Sequence, residues 1–137
     1  MVLAEVLIEK FNLEKRIQQL ERFLYRMSNV SAEQTDKAVR KLLELLDKHR
    51  SHLILLNRIN NETEVTIGDS KVSLANAILI IKTMEKKIEL LDDLIDNCAE
   101  NSVLDIFNLM EQRDKLLEEC TLISNNVTAL EWSVEVD

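Results

Sequence analysis

The stretch from Ser73 to Cys98, SLANAILIIKTMEKKIELLDDLIDNC, decides the fold. Its apolar residues recur at alternating steps of three and four, in the series Leu74, Ala77, Ile81, Met84, Ile88, Leu91, Ile95 and Cys98. This period places them on one face of an α-helix, as in a heptad seam. Ser73 can cap such a helix, because its hydroxyl oxygen accepts a hydrogen bond from the first turn. The pattern predicts a helix over residues 73–98.

Three further stretches have the same period, and they predict helices over about residues 2–27, 31–60 and 102–130. Ser31 and Gln34 form a capping box for the second of these helices. Ser102 is a candidate cap for the last helix, with Asp105 near its positive end. The 137 residues include no proline and a single glycine, Gly68, which is typical of long helices.

Residues 64–73 predict a β-hairpin between the second and third helices. Strand-forming residues flank Gly68 and Asp69, a pair suited to a two-residue turn. A turn at this pair sets Val65 opposite Val72 and Ile67 opposite Ser70. The only glycine of the chain therefore falls where a positive φ is needed.

The C-terminal tail changes from helical to strand periodicity, since Trp132, Val134 and Val136 alternate with polar residues. We expect this tail to pair with the edge of the hairpin as a third strand. The sequence therefore predicts one mainly α domain over residues 1–137. The expected architecture is an antiparallel four-helix bundle of coiled-coil type that carries a small β-hairpin.

Composition and charge narrow the classes of function. A net charge of −8 repels phosphate backbones, so no nucleic-acid partner is expected. The longest apolar run, residues 77–81, is far shorter than the roughly 20 residues of a membrane span, and the first ten residues do not resemble a signal peptide. Cys98 and Cys120 lack metal-type spacing and are expected to be free, buried thiols. These features favour a cytoplasmic location.

The two central helices carry more apolar residues than one stripe each requires. The additional residues are Leu43, Leu45 and Leu55 on the second helix and Leu79, Ile80 and Leu94 on the third. Together they would form a large exposed patch on a monomer, and pairing with a second copy would remove that patch from water. A two-fold dimer is the expected homo-oligomer, and a thicker monomeric core is the alternative.

No residue set predicts a catalytic or cofactor site. The sequence contains no nucleophile–base pair, glycine-rich phosphate loop or zinc signature. His49 and His52 lie about one helical turn apart and are weak candidates for metal ligands, although a packing role for His49 is more common. Arg113 interrupts the apolar stripe of the last helix, where it can pair with a buried carboxylate or lie across an interface.

Several segments resemble the septicolysin-like family of small bacterial helical proteins. The similar segments are residues 3–8 (LAEVLI), 13–20 (LEKRIQQL), 56–63 (LNRINNET), 73–77 (SLANA) and 131–136 (EWSVEV). The resemblance implies a helical fold and no established activity. The family name suggests a pore-forming cytolysin.

The function predicted from the sequence is therefore that of a non-enzymatic cytoplasmic oligomer that acts through protein–protein interaction. No cofactor is expected, and the sequence does not identify a protein partner beyond a second copy. Two alternatives stay open. One is the membrane activity implied by the family name, and the other is weak metal binding through His49 and His52.

Overall fold

The computed structural model describes residues 1–26, 31–98 and 105–137. Its helices are α1 (Leu3–Tyr25), α2 (Ala32–Glu62), α3 (Leu74–Asp96) and α4 (Ile106–Glu131). Its strands, β1 (Glu64–Ile67) and β2 (Ser70–Ser73), lie between α2 and α3 and form an antiparallel two-stranded sheet. The mainly α fold with a small β-hairpin is confirmed.

Side-chain caps set most of the helix boundaries. The hydroxyl oxygens of Ser31 and Ser73 accept hydrogen bonds from the backbone amides of Gln34 and Asn76, as their spacing predicts. At the end of α3, the Asn97 side chain donates to the carbonyl oxygen of Asp93 at 2.8 Å. This bond competes with continuation of the helix, so α3 ends before the predicted Cys98.

Helix α4 starts later than predicted. The Asp105 carboxylate accepts hydrogen bonds from the backbone amides of Phe107 and Asn108 at 3.1 and 3.2 Å. Asp105 is therefore the cap that precedes Ile106. The predicted cap Ser102 lies outside the described residues, as does the predicted end of the first helix at Met27.

The hairpin has the predicted register. Val65 pairs with Val72, Ile67 pairs with Ser70, and Gly68 has a φ of 61°. Val65 is buried. The backbone amide of Leu74 donates to the carbonyl oxygen of Thr63 at 2.8 Å, which closes the open end of the hairpin where α3 begins.

The chain divides into two compact units, Met1–Ile59 with Glu131–Asp137, and Asn60–Leu130. In the first unit α1 packs antiparallel against α2. Leu13, Ile17 and Leu45 form a buried cluster there, and Leu20 and Leu42 pack against it. Leucine and isoleucine do this packing because the chain contains few aromatic residues.

The second unit contains the hairpin, α3 and α4. Every member of the predicted stripe of α3 is buried or partly buried. The same holds for the stripe predicted on α4, in which Cys120, Ile123 and Val127 are buried. That stripe consists of Ile106, Leu109, Leu116, Cys120, Ile123, Val127 and Leu130, with Arg113 as its one polar member. In both helices the predicted apolar stripe is therefore a buried or partly buried face, and coiled-coil packing stays a prediction.

The C-terminal tail does not pair with the edge of the hairpin, so this prediction is wrong. The tail pairs with the first residues of the chain through an isolated antiparallel bridge between Val2 and Glu135. The backbone amide of Leu3 donates to the carbonyl oxygen of Val134 at 2.8 Å. Leu3 is the first residue of α1, and its amide has no partner within the helix. The tail supplies that partner, and the sheet among the described residues has only the two hairpin strands.

Candidate functional site

The structure differs most from the sequence prediction in which face of α2 is buried. The less exposed face of α2 consists of Ala38, Leu42, Leu45, His49, His52, Leu56 and Ile59, all buried or partly buried. Leu42 and Leu45 of this face pack with the α1 core cluster, and the two histidines bond to carboxylates of α1. The sequence pattern predicts one wide apolar stripe on α2, which contains members of both the buried and the exposed row. Its residues are Val39, Leu42, Leu46, His49, Leu53 and Leu56, widened by Leu43, Leu45 and Ile59. Two apolar rows lie side by side on α2, and α1 covers only one of them.

The uncovered row consists of Val39, Leu43, Leu46 and Leu53, here called the outer stripe, with exposures of 38, 57, 41 and 43%. Its members are spaced by four, three and seven residues, so they follow a second heptad seam in which Arg50 occupies the position between Leu46 and Leu53. Ile54, which is 65% exposed, adjoins it. The outer stripe thus has the pattern of a helix-packing surface without a packed helix on it.

Charged side chains follow the outer stripe. Asp36 pairs with Arg40 at 3.0 Å, and Asp47 lies 3.9 Å from Arg50. All four side chains are well exposed. This surface combines aliphatic carbon with two positive and two negative groups, so it is locally neutral on a chain with a net charge of −8.

Only some of the additional apolar residues that the sequence predicts on α2 and α3 lie on the surface. Leu43 and Leu79 are exposed. Leu55, Ile80 and Leu94 are partly buried. Leu45 is 2% exposed and belongs to the core, so its place in the predicted surplus is wrong. The reason is geometric: Leu45 lies on the row that faces α1, and Leu43 does not.

Apolar side chains are exposed elsewhere too, among them Tyr25 of α1 and Leu79 and Leu90 of α3, and two further surfaces group several of them. On α4, Phe107, Met110 and Leu117 form a shorter row. In the first unit, a shallow groove is lined by Ala4, Leu7, Ile8, Phe11, Glu131 and Trp132. Burial beside this groove raises the pKa of the Glu131 carboxyl above its ordinary value. Neither surface has the length or the charge pattern of the outer stripe.

The two histidines of α2 face separate carboxylates on α1. The Nε2 atom of His49 lies 3.1 Å from a carboxylate oxygen of Glu14, and the Nε2 atom of His52 lies 3.1 Å from one of Glu9. The Nδ1 atom of His52 also lies 3.1 Å from the carbonyl oxygen of Lys48. These bonds join α1 to α2 and fix their antiparallel register.

Metal binding by His52 would displace one of its hydrogen bonds, because both of its ring nitrogens contact oxygen atoms. His49 could bind a metal through Nδ1 while Nε2 keeps its hydrogen bond to Glu14, since a metal-bound histidine commonly donates its other ring nitrogen to a carboxylate. Across residues 1–26, 31–98 and 105–137, no group of three or more histidine, cysteine, aspartate or glutamate side chains is placed to hold a metal ion. Metal binding by the histidine pair stays a prediction, and elemental analysis of the purified protein tests it.

The contact between Glu14 and His49 predicts a pH dependence of stability. The hydrogen bond from His49 is the main cause that lowers the pKa of Glu14, and Lys10 adds to it while partial burial opposes it. A lowered carboxyl pKa stabilises the fold above the ordinary glutamate pKa, and this contribution is lost as the pH falls through the lowered value. We expect Glu14→Gln to cost about 0.5 kcal/mol of unfolding free energy at neutral pH, because solvent screens this carboxylate.

The cost of Glu14→Gln should shrink in urea titrations as the pH falls below the ordinary glutamate pKa. Glu44→Gln is the matched control, because Glu44 has a lysine of its own helix at 3.7 Å, as Glu14 has Lys10 at 3.4 Å. A cost that is the same at every pH, or equal for both variants, would show that His49 does not stabilise the Glu14 carboxylate.

Arg113 joins α4 to α3 within the second unit. Its guanidinium donates to carboxylate oxygens of Asp92 and Asp114, each at 3.2 Å. The bond to Asp92, and next that to Asp114, raise the pKa of the arginine. These carboxylates are partly exposed, unlike the buried partner that the sequence suggested. Arg113 therefore fixes the register of α3 and α4.

The cysteines have no chemical partner in the described ranges. Cys120 is buried and Cys98 is partly buried, and both are free. A groove between α3 and α4 is lined by four carboxylates of α3, with Leu117 and Cys120 on the other side.

In the part of the chain that the structure describes, no polar or charged residue is buried. The outer stripe of α2 is therefore the surface that we take as the candidate site.

None of the described helices combines the length and the apolar character that a membrane crossing requires.

Comparison with known proteins informs the fold. No protein-family model matches the sequence, and no curated protein matches it. The crystal structure of a functionally unknown conserved protein from Corynebacterium diphtheriae is similar, with a TM-score of 0.85 at 22% sequence identity. The match covers 100% of this chain and 99% of that one. At this identity it shows a shared fold, and the resemblance to the septicolysin-like family stays a prediction.

Proposed function

We infer that this chain is a non-enzymatic cytoplasmic protein that acts through protein–protein contact, and that its first partner is a second copy of itself bound at the outer stripe. The outer stripe offers aliphatic carbon and contains no nucleophile, acid or metal ligand. Such a surface can bind another apolar surface.

One observation carries the proposal: α2 has a second heptad row that no part of the described chain covers. Val39, Leu43, Leu46 and Leu53 are each more than a third exposed. Scattered apolar residues are normal on a protein surface, but a row at heptad spacing is the pattern of helix pairing. Burial of such a row stabilises an assembly by about 25 cal/mol for each Å² of apolar area removed from water.

A second copy is the partner that this pattern favours. Soluble proteins assemble most often as two-fold dimers, in which one surface contacts its own copy. In the dimer the outer stripe of each chain would cover that of the other, so neither outer stripe would remain exposed to water. Further protein partners would then contact the remaining surface.

Light scattering coupled to size exclusion tests the proposal. The wild-type chain has a mass of 15.9 kDa, and we expect a mass near twice that value at micromolar concentration, falling toward the monomer on dilution. A mass that stays at the monomer value over the whole accessible concentration range would contradict the proposal.

A further inference from the structure

The geometry points to an antiparallel dimer in which α2 of one copy lies along α2 of the other, with Leu43 facing Leu46 and Arg40 facing Asp47 across the two-fold axis. This inference rests on the proposed function, because it specifies how the outer stripe is covered. It adds the register, the direction and the polar contacts that select a second copy.

The order of charges along the outer stripe supports the antiparallel direction. From the start of α2 the charged residues are Asp36, Arg40 and Asp47 beside the outer stripe and Arg50 within it, so the signs alternate. In an antiparallel copy the order of these charges is reversed, so each aspartate of one chain faces an arginine of the other. An antiparallel copy therefore sets opposite charges against each other, and a parallel copy in the same register would set like charges together.

The apolar contact and the charged contact predict nearly the same register of the two α2 helices. If Leu43 faces Leu46 of the second copy, the two-fold axis crosses α2 midway between them. The midpoint between Arg40 and Asp47 lies one residue away from this point, so Arg40 of one copy is displaced by two residues, about 3 Å along the helix, from Asp47 of the other. Long side chains easily bridge an offset of that size.

Local neutrality also favours contact between two copies. Each chain carries a net charge of −8, so most of its surface repels another copy. Asp36, Arg40 and Asp47 flank the outer stripe and Arg50 lies within it, and these four charges cancel. It is thus a surface on which two copies can meet without that repulsion.

The existing ion pairs do not hold these side chains away from a partner. Arg40 contacts Asp36 and Arg50 contacts Asp47 within the same helix, and the exposed fractions of these side chains lie between 59 and 76%. Exposed pairs on a helix contribute little, so few interactions are lost when an arginine turns to a carboxylate of the second copy.

Charge reversal tests the register. In a dimer of two Arg40→Asp chains, an aspartate at position 40 of each copy faces Asp47 of the other. In a dimer of two Asp47→Arg chains, an arginine at position 47 of each copy faces Arg40 of the other. We expect each single variant to raise the dimer dissociation constant about tenfold at low salt, measured by sedimentation equilibrium. Mixed in equal amounts, the two variants should form a heterodimer with nearly wild-type affinity, because both contacts then join opposite charges.

Lys41→Asp and Glu44→Arg are the matched controls. These residues pair at 3.7 Å on the same helix but lie away from the outer stripe. We expect them to change the dissociation constant by less than about twofold, and circular dichroism should show equal helix content in all variants. High salt should reduce the effect of the stripe variants.

The outcomes separate the inference from the proposed function. A wild-type dimer whose two charge variants fail to recover affinity on mixing would overturn this register and leave the dimer in place. A wild-type chain that is monomeric at all concentrations would overturn both. Recovery on mixing supports both.

Discussion

Leu45→Ala should lower the free energy of unfolding by about 3 kcal/mol, the usual cost of truncating a leucine in a closely packed core. Leu45 is 2% exposed and packs against Leu13 and Ile17 of α1. Alanine would leave a cavity at this contact and remove part of the apolar surface that joins the two helices. Urea unfolding followed by circular dichroism measures the change.

Leu90→Ala is the control for this prediction, because it removes the same atoms from a leucine that is 59% exposed on α3. We expect a change within about 0.5 kcal/mol. The comparison tests which row of α2 faces α1. Equal effects of the two substitutions would mean that Leu45 does not lie in the core.

Leu43→Lys should convert the dimer to a monomer at concentrations where the wild-type chain is dimeric. Leu43 lies at the middle of the outer stripe and is 57% exposed in the isolated chain. A two-fold dimer would bury two unpaired ammonium groups at its centre, which costs several kcal/mol and weakens association at least 100-fold. Lysine is a good helix former, so the fold of the chain should be retained.

Leu90→Lys is the matched control for dissociation, and we expect it to leave the mass in solution unchanged. Leu117→Lys examines the shorter exposed row on α4. If Leu117→Lys dissociates the dimer and Leu43→Lys does not, the contact lies on α4 and the assignment to α2 is wrong.

The sequence was sufficient for the elements whose boundaries depend on local chemistry. The hairpin follows from one glycine between strand-forming residues, and its register is then fixed by the turn. Ser31 and Ser73 mark helix starts because a hydroxyl at a cap accepts a hydrogen bond within its own turn. On α3 and α4 the apolar stripe predicted from the sequence is buried or partly buried throughout, although other apolar residues such as Leu79 and Leu117 are exposed.

The sequence was insufficient where two neighbouring rows are both apolar. Leu45 and Leu46 are adjacent on α2, about 100° apart around the helix, and either can belong to a heptad seam. Periodicity shows that both rows exist but does not show which of them α1 covers. The exposed outer stripe, and with it the candidate site, is therefore visible only once α1 is in place.

Long-range pairings were also beyond the sequence pattern. Alternation in the tail indicates an extended backbone, but any strand edge or free helix end can accept it, and the tail pairs with Val2. Likewise, the spacing of His49 and His52 put both rings on one face of α2 but gave no information on the opposing residues. Glu14 and Glu9 of α1 occupy that position.

The central claim is that the outer stripe of one copy packs on the outer stripe of another, and contacts between methyl groups of different chains test it most directly. A sample that mixes isotopically labelled and unlabelled chains would report only such contacts in a filtered NOE experiment. We expect cross-peaks between the methyl groups of Leu43 in one chain and Leu46 in the other. Intermolecular cross-peaks that involve only other leucines, or none at a concentration where the mass is that of a dimer, would contradict the claim.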